Sequence, residues 1–237
     1  MAAEQKPNLS VWTRPRRTRE QPALSRAQIV AEAVRLLDAD GLDTLSMRNL
    51  GARLGAGATS LYRHVANKDE LIELVVDEVY GEIEIPDPDA DWRAGATACA
   101  HSMRAVILRH PWLASVLGQV GLSYLGPNVM RLNDRMLGVY LAAGFDLPEA
   151  DQALSVVAAY VIGISTSEAA WLTTLARSGQ DEAEWADRLR ETAVLAMAPY
   201  PRLAELTALY AGQDQPREDR FDYGLRRVLD GLAARLG

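Results

Sequence analysis

The chain has 237 residues, of which 49% are hydrophobic, and a formal net charge of −7, so it is long enough for one large or two modest domains with an apolar core. The single cysteine, Cys99, excludes an internal disulfide framework and suits a cytoplasmic protein. We expect no signal peptide and no membrane association, because residues 1–24 lack an apolar stretch and the longest apolar run, 156–164, is too short to span a bilayer.

Residues 1–24 are predicted to form a flexible basic arm that includes Arg14, Arg16, Arg17 and Arg19. The arm is either a solvated tail or a segment that follows a DNA backbone or enters a minor groove. Residues 1–68 hold 11 Lys and Arg against 6 Asp and Glu, whereas residues 69–237 hold 14 against 26. The basic charge is therefore concentrated at the N-terminal end, which would turn that end toward phosphates.

Three helices, of which the second and third are short, are predicted after the arm. Ser25-Arg-Ala-Gln28 is a capping box for a first helix that ends before Gly41. Ser46 can cap a second helix, and Gly55 then permits a sharp turn because glycine adopts left-handed backbone at little cost. A third helix is predicted from about Ala58 to His64.

The third helix has few apolar residues. Leu61 and Val65, four positions apart, would face a core, and the polar residues would face outward. Asn67 then begins an Asn version of the capping box, with Glu70 three residues on, for a fourth helix that would run to about residue 84. This arrangement predicts a helix-turn-helix module, which is typical of proteins that read DNA.

The residue order strengthens this prediction. Gly-Leu-x-x-Leu-Ser, Leu-Gly and Leu-Tyr-Arg-His-Val-x-Asn-Lys-x-Glu-Leu follow one another within residues 25–80. This order resembles the N-terminal domain of the tetracycline-repressor (TetR/AcrR) family. The resemblance implies an all-helical homodimer that binds a palindromic double-stranded DNA operator and is released when a small-molecule effector enters the C-terminal domain.

Arg63 is the candidate for direct base contact, because arginine can donate two hydrogen bonds to guanine, although it could instead meet only phosphate. Thr59 and Ser60 could contact phosphate or a thymine methyl group, or simply cap the helix. The remaining candidates are placed on DNA by the resemblance or by their position at a helix N-terminus. They are Arg48, Tyr62, His64 and Lys68.

Ile85-Pro-Asp-Pro-Asp breaks the fourth helix, so we predict a DNA-binding domain over residues 25–84 and a ligand-binding and dimerisation domain over residues 85–237. No segment alternates with the period of a strand, and the expected fold class is all-α. The phrases Leu108-Arg-His-Pro-Trp-Leu and Leu141-Ala-Ala-Gly-Phe resemble the C-terminal domain of the tetracycline repressor itself. Helices are predicted at about 89–109, 111–118, 127–143, 148–177, 181–198, 201–211 and 217–236.

An effector cavity would be lined by methionine and large apolar or aromatic residues of the helices between 89 and 177, although such residues are also ordinary core. The candidates are Met103, Trp112, Leu117, Tyr124, Met130, Met136, Tyr140, Tyr160 and Trp171. We expect no cofactor and no metal, because His101 and His110 have no partners at metal-ligand spacing. The tetracycline repressor holds a magnesium chelate with a histidine, and residues 112–118 contain none, which argues against that ligand.

Two segments are predicted to form the homodimer interface. Residues 148–177 are apolar nearly all round at their centre. Residues 217–236 carry an apolar stripe, and two such pairs would make a four-helix bundle, unless the pair packs within one chain. The stripe consists of Leu225, Val228, Leu229, Leu232 and Leu236.

The leading interpretation is that the protein is a ligand-responsive transcriptional regulator that acts as a repressor. We expect no enzymatic activity. A constitutive DNA-binding protein without a ligand is one alternative. A helical enzyme or carrier with an incidental helix-turn-helix is another, but no nucleophile–base pair, phosphate loop or cofactor motif supports it.

Overall fold

The computed structural model of the protein describes residues 24–87, 91–117, 125–210 and 216–236. In these ranges the chain forms eleven α-helices and one 3-10 turn, Leu42–Thr44, and no strand. The helices are α1 Arg26–Asp40, α2 Met47–Arg53, α3 Ala58–Leu61, α4 Lys68–Tyr80, α5 Trp92–Arg109, α6 Trp112–Leu117, α7 Pro127–Ala142, α8 Leu147–Ser178, α9 Glu182–Met197, α10 Pro201–Leu209 and α11 Arg217–Ala233. The expected all-α class is confirmed. The predicted arm residues Arg14, Arg16, Arg17 and Arg19 and the candidate Tyr124 lie outside the described residues.

The helix starts in the N-terminal module follow the predicted caps. The Ser25 hydroxyl accepts from the Gln28 amide at 3.2 Å, and the Gln28 side chain accepts from the Ser25 amide at 2.9 Å. The Ser46 hydroxyl accepts from the Asn49 amide at 3.1 Å. Gly55, at φ 62°, provides the left-handed turn after α2. Each cap satisfies an amide that the first turn of its helix leaves without a partner.

Helix α4 is shorter than predicted, because it ends at Tyr80 and not near residue 84. The amides of Glu82 and Ile83 reach carbonyls only three residues back, at 3.1 and 3.2 Å, so the last turn tightens. Ile83 is buried at this bend and holds it against the core. The packing of Ile83 therefore ends the helix before the chain reaches Pro86, the residue that the sequence indicates as the helix breaker.

The C-terminal domain is organised around α8, which packs against α5, α6, α7 and α11. Arg104 on α5 donates two hydrogen bonds to Glu168 on α8, at 2.9 and 2.8 Å, and both side chains are largely buried. The Arg104 guanidinium also lies 5.1 Å from the ring centroid of Phe221 on α11. A paired charge and a cation–π contact thus join three helices at one point.

The apolar stripe of α11 packs within the chain. Leu225 and Leu229 are each 1% exposed, because they face α8 of the same protomer. The prediction that residues 217–236 form part of a homodimer interface stays a prediction, because a four-helix bundle would contain this α8–α11 pair in each protomer. Val228 and Leu232 of the same stripe are half-buried, and Leu236 at its end is exposed.

Other apolar surface stays uncovered in a single chain. Helices α9 and α10 contain no buried residue, and their main helix contact is with each other. Helix α8 exposes a line of small residues at three- and four-residue spacing, namely Ala159, Gly163, Ser167 and Ala170. The large apolar residues exposed on α9 and α10 include Leu189, Val194, Leu195, Leu203, Leu206 and Leu209.

Helix α8 is long and apolar enough, by length and composition alone, to cross a membrane. Core helices of soluble proteins meet the same criterion, and α8 packs against four other helices of the chain. Only 28% of its most apolar window is buried within the protomer. The exposed positions among the rest, such as Val156, Ala159 and Gly163, are open to another contact.

Candidate DNA-binding surface and ligand cavity

The segment 58–64, called here the reader segment, presents its polar side chains outward. Leu61 is fully buried and Val65 is 1% exposed, so these two residues anchor the segment to the core of the module. The exposed polar residues are Thr59, Ser60, Tyr62 and Arg63, whereas His64 is half-buried. The structure therefore brings five of the predicted DNA-binding residues together on one short segment.

The reader segment is not helical throughout. Helix α3 ends at Leu61, and the predicted end at His64 is wrong. The amides of His64 and Val65 both reach the Leu61 carbonyl, at 2.8 and 3.0 Å, so a hydrogen-bonded turn follows a single helical turn. This turn returns Val65 to the core and leaves Tyr62 53% exposed.

Two contacts fix the reader segment on the rest of the module. A Cβ atom at Gly51 would lie 2.8 Å from the Ala56 carbonyl oxygen, so only glycine lets α2 approach the turn before α3 this closely. Arg26 on α1 donates to the His64 carbonyl at 3.2 Å. The segment is thus held at both of its ends.

The remaining predicted DNA residues lie at the starts of neighbouring helices. Arg48 on α2 and Lys68, the first residue of α4, are both exposed. The Asn67 side chain caps α4 by accepting from the Glu70 amide at 2.8 Å. The Glu70 carboxylate accepts from the Ala66 amide, and so the expected reciprocal bond to Asn67 is replaced by a bond one residue earlier.

A polar junction ties α1 of the N-terminal module to the loop between α5 and α6. Asp38 accepts from the Trp112 indole at 2.8 Å and lies 2.7 Å from His110 Nδ1. His110 Nε2 lies 3.3 Å from the Glu82 carboxylate, which also pairs with Arg109. His110 and Trp112 are each only 4% exposed, so the two rings are buried, whereas the carboxylates of Asp38 and Glu82 remain partly exposed.

A second contact ties α4 to the start of α7. The Asp77 carboxylate accepts from the backbone amides of Asn128 and Val129, at 2.9 and 3.1 Å, and the Asn128 side chain donates to the Asp77 carbonyl at 2.9 Å. The N-cap residue of α7 is Gly126, which has no side chain for this purpose. Asp77 therefore caps α7 from another helix.

An apolar cavity of about 220 Å³ lies between α4, α5, α7 and α8. Its wall includes Tyr80, Cys99, Met103, Asn133, Met136 and Tyr140, and none of the described residues that line it is charged. Burial raises the pKa of the Cys99 thiol to about 11. Burial also raises the pKa of Tyr140, so both groups stay protonated at neutral pH.

Three of the predicted ligand residues, Met103, Met136 and Tyr140, line this cavity. The other described candidates do not. Trp112 lies in the polar junction, Met130 is 40% exposed, and Tyr160 donates to the Phe221 carbonyl at 2.8 Å. Leu117 packs against the core, and Trp171 lines a separate open groove with Arg217.

Sequence reasoning missed the residues whose roles depend on distant partners. Asp77 and Asn128 are 51 residues apart, and Asp38 and Trp112 are 74 apart. The only local signal at α7 is Gly126-Pro127, a helix start that carries no capping side chain. Asn133 could have been found, because it shares the α7 face of Met136 and Tyr140 at three- and seven-residue spacing.

Two family profiles match the chain. The profile described as "Bacterial regulatory proteins, tetR family" matches residues 29–75, and "Tetracyclin repressor-like, C-terminal domain" matches residues 85–236. A transcriptional regulator of Saccharopolyspora erythraea is 37% identical over 230 residues, which are 96% of this chain and 93% of that protein. The transcriptional repressor DrrR1 of Streptomyces coeruleorubidus is 37% identical over 216 residues, which are 90% of this chain and 78% of that protein.

Solved structures agree with these relatives. ActR of Streptomyces coelicolor without ligand superposes with a TM-score of 0.75 at 30% identity, covering 91% of this chain and 97% of that one. ActR bound to actinorhodin gives 0.73 at 31% identity, covering 90% and 99%. These relatives are regulators and not enzymes. The chain, with its outward reader segment and its helical C-terminal domain, belongs to the TetR family of bacterial transcriptional regulators.

Proposed function

We propose that the protein is a repressor that acts in the cytoplasm, binds a palindromic operator as a homodimer and releases it when a small molecule enters the cavity. The observation that carries this proposal is the position of α4. The helix begins with Lys68 beside the reader segment, and Tyr80 at its other end lines the cavity. One helix therefore contacts both places that a ligand-controlled switch must connect.

The DNA contacts divide into base readout and positioning. Arg63, exposed at the end of the reader segment, reads a guanine in the major groove. Thr59, Ser60, Tyr62 and His64 contact the backbone and its surroundings, together with Arg48 on the preceding helix. Lys68 contacts phosphate, helped by the free amides at the start of α4.

The homodimer is supported by the surface that one chain leaves open. The small residues Ala159, Gly163 and Ser167 on α8 would let a partner helix approach closely. The exposed apolar residues of α9 and α10 offer further apolar area to a partner. Two protomers related by a twofold axis would place two reader segments on successive major grooves.

Regulation by a small molecule is supported by the cavity and by relatives. ActR has been solved with actinorhodin and with (S)-DNPA, and DrrR1 is a repressor. An effector that binds the cavity more tightly in one arrangement of α4 would shift the dimer toward that arrangement. If this arrangement spaces the reader segments differently, the operator is released.

The test is selection of bound duplexes from a random DNA pool by the full-length protein, followed by affinity measurements on the selected site. Arg63→Ala should cost about 1–3 kcal/mol on that site and relax the preference at one base pair, whereas Lys68→Ala should weaken all sequences alike. Arg35→Ala, which removes an exposed charge on α1, is the matched control and should change neither.

A protein that selects no duplex, or that stays monomeric by sedimentation at micromolar concentration, would contradict the proposal. Retained specificity in Arg63→Ala would contradict the base contact alone. Gly163→Leu should fill the open face of α8 and weaken dimerisation, because nothing in the protomer lies within 4 Å of a Cβ atom there.

A further inference from the structure

We propose that the effector is a compact, uncharged and mainly apolar molecule with a hydrogen-bond acceptor, and that Tyr140 is the residue that selects it. This inference rests on the proposed function, which places the effector in the cavity between α4, α5, α7 and α8. It names the ligand chemistry that the cavity wall accepts.

The Tyr140 hydroxyl is the first argument. Tyr140 is fully buried, it lines the cavity, and its oxygen has no hydrogen-bond partner among the described residues. A buried hydroxyl without a partner costs about 1–3 kcal/mol, so such groups are uncommon unless something else satisfies them. A ligand in the cavity can supply that missing partner.

The tyrosine ring is held in place, so the hydroxyl cannot turn away to find another partner. The ring packs against Phe145 with centroids 5.6 Å apart and against Trp92 at 6.2 Å. Burial raises the pKa of Tyr140, so the hydroxyl keeps its proton and can donate. A phenolic hydroxyl can both donate and accept, and the group that would satisfy its proton is an acceptor such as a ketone, quinone or ether oxygen.

The absence of charge along the described wall is the second argument. The polar side chains that line the cavity are Asn133, Cys99, Tyr80 and Tyr140, and each is neutral. A carboxylate or an ammonium group would lose its hydration there without meeting an opposite charge, which is strongly unfavourable. The wall therefore discriminates against ionised ligands.

The volume is the third argument. At about 220 Å³ the cavity is smaller than the roughly 300–1,000 Å³ typical of drug-sized ligands. A fused two-ring compound suits this space better than a large glycoside. Asn133 and Tyr140, seven positions apart on α7, place two polar groups along one side of such a ring system.

Three probes of similar size test the inference on the full-length protein by calorimetry: naphthalene, 2-acetylnaphthalene and 2-naphthoate. The ketone should bind about tenfold more tightly than naphthalene, because one hydrogen bond is added, and the carboxylate should bind most weakly. Tyr140→Phe should remove the tenfold preference for the ketone and leave naphthalene unchanged.

Tyr160→Phe is the matched control, because the Tyr160 hydroxyl already donates to the Phe221 carbonyl and does not line the cavity. It should leave all three affinities unchanged. The inference is overturned if no probe binds, if the carboxylate binds most tightly, or if Tyr140→Phe keeps the preference for the ketone.

Operator release is measured separately with the same probes. If the ketone binds as expected but never releases DNA, the ligand chemistry stands and the proposed regulation fails. If the carboxylate both binds most tightly and releases DNA, regulation stands and the inferred ligand class fails.

Discussion

Replacing Asp77 with alanine should destabilise the protein and loosen the contact between α4 and α7. The Asp77 carboxylate accepts from two backbone amides and from the Asn128 side chain, at 2.9, 3.1 and 3.2 Å. Loss of a capping side chain costs about 1 kcal/mol, and hydrogen bonds to a charged group contribute more, so we expect about 2–3 kcal/mol in total. For a chain of this size this corresponds to a fall in Tm of roughly 5–10 °C.

Gly126 allows this reasoning to be checked by a double-mutant cycle. A Cβ atom at Gly126 would overlap the Asp77 carboxylate, so Gly126→Ala should be strongly destabilising in the native background. In the Asp77→Ala background the carboxylate is gone but the Cβ atom of residue 77 stays 2.6 Å away, so the same change should remain destabilising and cost clearly less. Chemical denaturation of all four proteins gives the coupling free energy, and Glu78→Ala, which alters the adjacent exposed carboxylate, should stay within about 0.5 kcal/mol of the unmodified protein.

The assignment of Asp77 as the cap of α7 would be refuted if Gly126→Ala cost the same in both backgrounds. A functional measurement accompanies the cycle, because α7 lines the cavity and α4 follows the reader segment. Asp77→Ala should reduce the ratio of operator affinities without and with effector, while effector binding itself changes little. An unchanged ratio would show that this contact does not carry the regulatory signal.

Three further changes have defined outcomes. Gly51→Ala places a Cβ atom 2.8 Å from a backbone carbonyl oxygen, so it should lower the free energy of unfolding by about 1–3 kcal/mol and weaken binding to every duplex. Gly57→Ala has open space around its Cβ atom and should do neither. Thermal melts and gel shifts measure the two effects. Burial raises the pKa of Cys99 to about 11 from 9.0, so above pH 9 the folded state keeps a proton that the unfolded state loses. The free energy of unfolding should therefore fall between about pH 9 and pH 11. Urea titrations should show a shallower fall in Cys99→Ala. Arg104→Met leaves Glu168 buried without its partner and should lower the free energy of unfolding by about 3–5 kcal/mol. Much of this loss should be recovered in the double variant Arg104→Met/Glu168→Leu. Equal stability of the two variants would contradict this.

The parts of the fold that depend on neighbours in sequence could be predicted. The caps at Ser25, Ser46 and Asn67 act over three residues, and the left-handed turn at Gly55 is a property of one residue. The reader segment is predictable for the same reason, because Leu61 and Val65 face the core and its polar residues must then face outward.

The cavity could be predicted only in part, because its wall and the ordinary core use the same residue types. Met136 lines the cavity and Met130, six positions earlier on the same helix, is 40% exposed. The aromatic character of Trp112 predicts a cavity residue, yet its indole donates a hydrogen bond to Asp38 across 74 positions of sequence. Such pairings follow from how helices pack, which local patterns do not encode.

The junction of Asp38, Glu82, His110 and Trp112 has a consequence for engineering hybrid regulators. The reader segment lies entirely between Asp38 and Glu82 in sequence, so a foreign segment spliced in at residues 46–66 would arrive without disturbing either carboxylate. If the whole N-terminal module came from a relative without an acidic residue at position 38, the buried His110 imidazole and Trp112 indole would lose their shared hydrogen-bond partner. Operator specificity should therefore be easier to change by exchanging residues 46–66 alone than by exchanging the whole N-terminal module.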